Sequence, residues 1–395
     1  MIRYDDYGAA YSDSCAARFE VEEMVQRELA ERGWPWLCAV TPRQSVNPHD
    51  AGETGIVHLR DDGPRLALLR KAIGDGLCEP AVHGLTHHTW KQLPEYGTEF
   101  VGLPADEQCE ILRTAKREVE ELAGREVSVF VPPWNSFDEA TVRAAGDAGF
   151  ELLSAGIPTC CGTVPPLRLM PRTVDVYGLK QLTDQGRRLP AGSVIVMLFH
   201  AFDFTTVHAE WGRLRLDEFG PLLDRAVERY GMEVVPILQI PRILGDDLER
   251  RVAFASTLHE RYFRLGALPL VGRPILRWIL SQGFTWVLPP IRSARLLGWS
   301  VTAVVSLWFA GVAVVAWTLA SVVGRLIDRA PIRSFGLLTL ALGGAVLAIR
   351  SAKYAFLKRY RRRWGGRTIG LRTWTSFTAG TVVALSVLFQ WLQLP

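Results

Sequence analysis

The sequence predicts an α/β protein: a distorted (β/α) barrel of about seven strands over residues 1–245, followed by a membrane domain of about three transmembrane helices. Three observations predict it. Short runs rich in Val, Leu and Phe alternate with amphipathic stretches through the first 245 residues. Charge is segregated: residues 1–250 carry 39 acidic and 26 basic side chains, residues 251–395 carry 2 and 19, so the formal +4 divides into −13 and +17. The basic tail also holds three long, charge-poor apolar runs.

In chain order, MIRY (1–4), WLCAVT (36–41), PAVHG (80–84), VSVFVP (127–132), FELLSAG (150–156), SVIVMLFH (193–200) and MEVVPI (232–237) are expected as strands. Between them, 19–33, 64–76, 106–124, 138–149 and 216–231 have helical periodicity; each begins at or near an acid and several stop at glycine. Apolar strands alternating with amphipathic helices imply parallel strands covered by helices. In such folds reactive side chains sit at the carboxyl ends of the strands.

Residues 246–298 are expected as a linker, with 263–298, apolar but broken by Arg, Pro and Gly, lying in the headgroup region of a lipid bilayer. The run 299–323 has 25 residues without a charge, longer than the roughly 20 needed to span the hydrocarbon core. The stretches 331–349 and 376–395 are near the minimum length. Between them, 350–373 carries nine Lys or Arg and no acid, which places this loop on the cytoplasmic side. The front domain is then also cytoplasmic, at the inner membrane, and the C-terminus lies outside. An acidic front argues against nucleic acid as a partner. Cys15, Cys38, Cys78, Cys109, Cys160 and Cys161 lack framework spacing and suit a reducing compartment, the last two as packing residues.

Polar residues at the expected strand ends are the candidate site. Asp5 and Asp6 end the first strand, His83 and the Pro132–Pro133 pair end two others, and His200 ends SVIVMLFH. HGLTHH supplies His83 and His87 four apart, with His88 as a competitor; two imidazoles on one side of a turn can hold a divalent ion, and Asp5 or Asp6 would complete the set. Consecutive strand residues point in different directions, so one aspartate can ligate while its neighbour receives a proton. His49, His58 and His208 are expected as solvated or core histidines.

IRYDDYG, HGLTHH, FVPPWN and VMLFHAF, in this order, resemble the motifs of the NodB-like polysaccharide deacetylase family, carbohydrate esterase family four in the broad sense. The resemblance covers about residues 1–240 and is greatest to a divergent branch with F-x-P-P-W/F-N as its third motif; EFVGLPADEQ also looks like that branch. It implies Asp5 as proton acceptor, Asp6, His83 and His87 as ligands of a divalent metal, and His200 as general acid. Zn2+ is expected there, with Co2+, Ni2+ or Fe2+ as alternatives. Trp134 and Asn135 are the candidates for binding or positioning substrate. The third motif departs from the family at Val131, where many relatives have an arginine that braces the catalytic aspartate, and Asp175 is the candidate for the family's later acidic motif. The implied activity is removal of an acyl group, most simply acetyl, from a sugar on a polyprenyl-phosphate or glycolipid carrier at the cytoplasmic membrane face. An inactive domain binding a glycan or a membrane partner, or an exported glycan deacetylase with reversed topology, are the alternatives.

Overall fold

The computed structural model describes residues 1–12, 15–91, 97–157, 167–258 and 283–327. The chain divides into two units, Met1–Val322 and Val323–Pro395; of the second, the described residues include only the end of a helix.

The strands are β1 (Ile2–Tyr7), β2 (Trp36–Val40), β3 (Arg43–Ser45), β4 (Ile56–His58), β5 (Cys78–Val82), β6 (Val129–Phe130), β7 (Leu152–Leu153), β8 (Arg168–Leu169), β9 (Val174–Asp175) and β10 (Met197–Phe199). Eight of them make one sheet in the order β8-β7-β6-β5-β2-β1-β10-β9, every neighbouring pair parallel. Central strands such as β2 are buried on both faces, which is why Trp-Leu-Cys-Ala-Val has no polar alternation.

β8 and β9 are two halves of one extended run. In its first half, Arg168, Met170 and Arg172 donate backbone N–H groups to Glu151, Leu153 and Ala155 along β7; then Thr173 donates to Val196 O beside β10, at 2.9 Å. The run therefore joins the two edges of the sheet, and counting it once leaves seven strands in a ring. MEVVPI, expected as a strand, is unpaired. No edge remains for it once 167–175 has closed the ring; Val234 and Val235 pack on the core, and Ile237 N–H binds the Glu79 carboxylate.

Around the strands lie α1 (Cys15–Glu31), α2 (Gly63–Gly74), α3 (Ala105–Ala123), α4 (Glu139–Asp147), α5 (Val176–Asp184), α6 (Leu216–Tyr230), α7 (Gln239–Leu244), α8 (Asp247–Thr257) and α9 (Ile291–Ile327). The Asp138 side chain caps α4 in a reciprocal box with Thr141, and Gly124, at φ 67°, ends α3 in the left-handed conformation. Packing continues past residue 245: Leu248, Val252 and Ala255 of α8 join the core, and Leu288 forms an antiparallel bridge to Val194.

The β3–β4 hairpin, too short for any periodicity to reveal, stands beside the carboxyl ends of the sheet. Arg43 and Ser45 donate backbone N–H groups to Leu85 O and Thr86 O, so β3 borders the turn that follows β5. The expected span 299–323 lies within α9. Among the described residues no helix is long and apolar enough to cross a membrane, and many side chains of that run from 305 onward lie outside them. Cys160, Cys161 and the 331–349, 350–373 and 376–395 segments also lie outside the described residues. Cys15, Cys38, Cys78 and Cys109 are buried free thiols.

Ring closure rests on Thr173, whose Oγ1 accepts the Val196 N–H at 3.0 Å while its own N–H reaches Val196 O. Thr173→Val would leave a backbone donor unpaired, and denaturant unfolding is expected to register a loss of about 1–3 kcal/mol.

Candidate metal centre and active site

The site begins with an irregularity in β1. Tyr4 pairs with Cys38 and Tyr7 with Val40, so β1 carries one residue more than β2 over this interval, a β-bulge. Before the bulge the alternation is regular: Tyr4 faces α1, where its hydroxyl meets Glu22, and Arg3 and Asp5 share the opposite face. Regular alternation would send Asp6 the way of Tyr4. Instead Asp6 adopts φ 67°, which re-aims its carboxylate, and its Oδ1 lies 2.9 Å from His83 Nε2 and 3.1 Å from His87 Nε2.

His83 follows β5 directly. Its Nδ1 lies 2.8 Å from Val131 O and is read as the N–H donor, which leaves the Nε2 lone pair facing Asp6. The chain then turns through Gly84 (φ 73°) to His87 (φ 48°). Glu99, almost wholly buried, holds this turn: its Oε1 accepts Leu85 N–H, Thr86 N–H and Thr86 Oγ1–H at 3.0, 2.8 and 3.0 Å. A Cβ at residue 84 would collide with Glu99 Oε2 and stand 2.7 Å from Pro133 Cγ, at a φ of 73° that itself favours glycine. Burial, opposed by these bonds, pushes the Glu99 carboxyl up.

Among the described residues, the non-glycine positions with positive φ are Asp6, His87, Trp134 and Asn135. All four belong to this site. Strained backbone of this kind costs of order 1–3 kcal/mol per residue and persists where the surroundings over-determine it.

Asp6, His83 and His87 each offer a ligand atom, all within 4.8 Å of one another. The set fits a divalent cation on its own chemistry. A carboxylate oxygen facing imidazole lone pairs is repulsive unless a cation or a proton lies between them, and the His83 tautomer is already fixed by Val131 O. Without a cation, when protons on the imidazoles take its place, burial would raise Asp6, but the charge of His87 and hydrogen bonds from His83 and His87 outweigh it and hold Asp6 well below the usual carboxylate range.

Asp5 is held differently. Both partners of the Arg3–Asp5 pair are buried, with Arg3 Nε donating to Oδ1 at 2.7 Å and Nη2 to Oδ2 at 2.5 Å. Arg3 Nη1 donates to the Ser154 carbonyl and hydroxyl, both at 3.1 Å, and Nη2 to Asn135 Oδ1 at 3.0 Å. Burial would raise Asp5, but the Arg3 charge and hydrogen bonds, with smaller contributions from His83 and His200, bring it below its ordinary value. Val131 is a fully buried core residue whose carbonyl orients His83.

His200 follows β10. Its backbone N–H donates to Asp203 Oδ2 at 2.7 Å, its Nδ1 lies 3.5 Å from the same oxygen, and its ring stacks on Phe202 at 4.3 Å. Burial disfavours the cation, but the hydrogen bond to Asp203 and the charges of Asp6 and Asp5 outweigh it, so His200 is raised above its ordinary value. Trp134 packs at 4.3 Å from the His87 ring as a wall of the metal site, while Asn135 reaches Arg3. His88 is not among the clustered ligand atoms; its Nε2 meets Asp50 O. Asp175 caps α5 by accepting Gly178 N–H, which accounts for it without a role at the site. His49 is exposed, but its ring lies 5.6 Å from Trp134, nearer the site than expected. Sequence reasoning missed Arg3, Glu99, Ser154 and Asp203. Signals existed for Arg3, since an arginine two residues before an aspartate on one strand shares its face, and for Glu99, which opens the EFVGLPADEQ stretch.

No family model and no curated protein matches the chain. Solved structures do. A CE4 family pseudoenzyme from Bacillus anthracis has 15% identity and a TM-score of 0.37, covering 63% of this chain and 66% of its own. A putative polysaccharide deacetylase from Mycobacterium smegmatis has 16% identity and a TM-score of 0.39, with 58% and 78% covered. A family 4 carbohydrate esterase from Streptomyces lividans, in complex with acetate, has 14% identity and a TM-score of 0.36, with 60% and 91% covered. At these scores the likeness is remote and assigns this chain no activity.

Elemental analysis tests the centre. One divalent ion per chain is expected in the parent, with occupancy lost in Asp6→Ala and His83→Ala; full occupancy in His83→Ala would remove it from the ligand set. Gly84→Ala should also bind metal less tightly, because the added Cβ displaces Glu99 from the turn between the two histidines.

Proposed function

We propose that this chain is a metal-dependent amide hydrolase that removes an acyl group, most simply acetyl, from the amine of a sugar. The observation that carries the reading is the juxtaposition of a cation site, Asp6 with His83 and His87, with a second aspartate that an arginine holds apart from it. Bound there, a divalent cation, Zn2+ foremost, would supply Lewis acidity, lowering the pKa of water and stabilising the negative charge that develops on the carbonyl oxygen. The chain's own residues do the rest. Asp5, ionised through its Arg3 partner, receives the proton of the attacking water. His200, favoured as the imidazolium by Asp203, delivers a proton to the departing amine, without which the leaving group would be poor. Trp134 gives the pocket an apolar wall beside His87.

The substrate proposed is an N-acetylated sugar on a polyprenyl-phosphate or glycolipid carrier, worked on at the cytoplasmic face of the inner membrane. The basic 350–373 loop and the charge-free 299–323 run support that location. So do the apolar side chains of Leu296, Trp299, Val304 and Leu307, which α9 leaves exposed. A catalytic domain on that side reaches lipid-linked precursors rather than finished wall polymer.

Two experiments follow. Asp5→Asn and His200→Ala should keep metal and fold but release acetate from a lipid-linked N-acetyl sugar roughly 10²–10⁴-fold more slowly; undiminished rates in both would sink the mechanism. For location, single cysteines placed at the C-terminus and in the 350–373 loop of a Cys-free background are labelled with a membrane-impermeant reagent on intact cells. Only the C-terminal one should react, and labelling of the loop alone would reverse the topology.

A further inference from the structure

Two adjacent aspartates at the end of one strand pose a problem of selection. Both are carboxylates, both lie between Tyr4 and Tyr7, the interval in which β1 bulges, and His83 is close enough to influence each electrostatically. A cation attracts both. We propose that Arg3 is the positioning residue that sorts them: by holding both oxygens of Asp5 it withholds that carboxylate from the metal and leaves Asp6 as the single acidic ligand.

The guanidinium is suited to this because all its donors are committed. Nε and one hydrogen of Nη2 go to Asp5, the second Nη2 hydrogen goes to Asn135 Oδ1, and the Nη1 pair goes to Ser154 O and Oγ. These acceptors come from β1, from the turn after β6 and from the end of β7, so the fork cannot swing without breaking contacts to three separate parts of the ring. A bidentate, charge-assisted pair of this geometry is strong and directional. Among the described residues Asp6 has no such partner: its carboxylate faces the two imidazoles, and Arg18 takes only its backbone carbonyl, at 2.6 Å. The division of labour thus comes from Arg3 and from the positive φ of Asp6, acting on two chemically identical groups.

The test is a double-mutant cycle on the full chain, with zinc affinity measured by chelator competition and acetate release measured in parallel. With Arg3→Met, Asp5 is free to turn toward the cation as a second carboxylate ligand. Zinc should bind more tightly than in the parent while hydrolysis falls by roughly 10²-fold or more, the scale of losing a general base. Arg3→Met combined with Asp5→Asn should return zinc affinity to that of Asp5→Asn alone. Unchanged or weaker zinc binding in Arg3→Met would overturn the proposal, because a merely structural arginine can only damage the site. If the unpaired buried carboxylate prevents Arg3→Met from folding, Arg3→Lys keeps the charge without the fork. It should lower kcat with KM and zinc occupancy retained, and a parental kcat would count against the sorting role. The hydrolytic readout rests on the amide-hydrolase reading; zinc affinity does not, so a parent that releases no acetate refutes that reading and leaves the cycle decisive for Arg3.

Discussion

The site depends on a guanidinium buried inside the ring of strands. Taking an arginine and an aspartate out of water costs several kcal/mol per ion, and their mutual attraction offsets this only when the remaining donors are also satisfied. The chain meets that condition with groups that themselves require the fold: the Ser154 carbonyl and hydroxyl at the end of β7 and the Asn135 amide beyond β6. The Arg3–Asp5 pair is therefore both a product of ring closure and a check on it, since a misregistered strand would leave a buried charge exposed to nothing. The guanidinium reaches Asp5 from its own strand, and the Val131 carbonyl is left to fix the tautomer of His83.

A second constraint is backbone strain, concentrated where it does chemical service. Asp6 and His87 present ligand atoms from left-handed conformations, and Trp134 and Asn135 use the same region to place one side chain against His87 and the other on Arg3. At of order 1–3 kcal/mol each, this strain is a sizeable fraction of the stability of an ordinary domain. The surroundings that hold it are visible around the histidine turn, where Glu99 gathers three donors and Gly84 leaves room for its carboxylate.

Much of the architecture was legible because strands and helices alternate with clear punctuation and because polar residues at strand ends stand out against apolar runs. Asp6, His83 and His87 could be grouped on spacing and position, and the structure brings them together. Illegible features were those set by long-range pairing. The run 167–175 gives two strands of two residues each, too short to signal, and yet it closes the ring. MEVVPI has strand composition but no free edge to join, a fact that exists only once the ring is complete. The spacing of Arg3 and Asp5 puts them on one face, but the Asn135 and Ser154 acceptors that complete the guanidinium lie far along the chain, and His88 looked equivalent to His87 until the turn assigned one inward and the other to Asp50.

The pairing of Ile2 with Met197 gives the site an order of assembly. Synthesis delivers Asp5, Asp6, His83 and His87 first, Asn135 and Ser154 later, and the strand that carries His200 later still. Non-local pairings of this kind are slow to form, and a growing chain exposes its unpaired strands meanwhile. Until those parts arrive β1 has one open edge, and Arg3 lacks the Asn135 and Ser154 acceptors that fix the far side of its guanidinium. The emerging polypeptide thus carries the three ligands and the Arg3–Asp5 pair before the contacts that lock that pair in place, and metal met on the ribosome would meet a looser site than metal met by the finished domain.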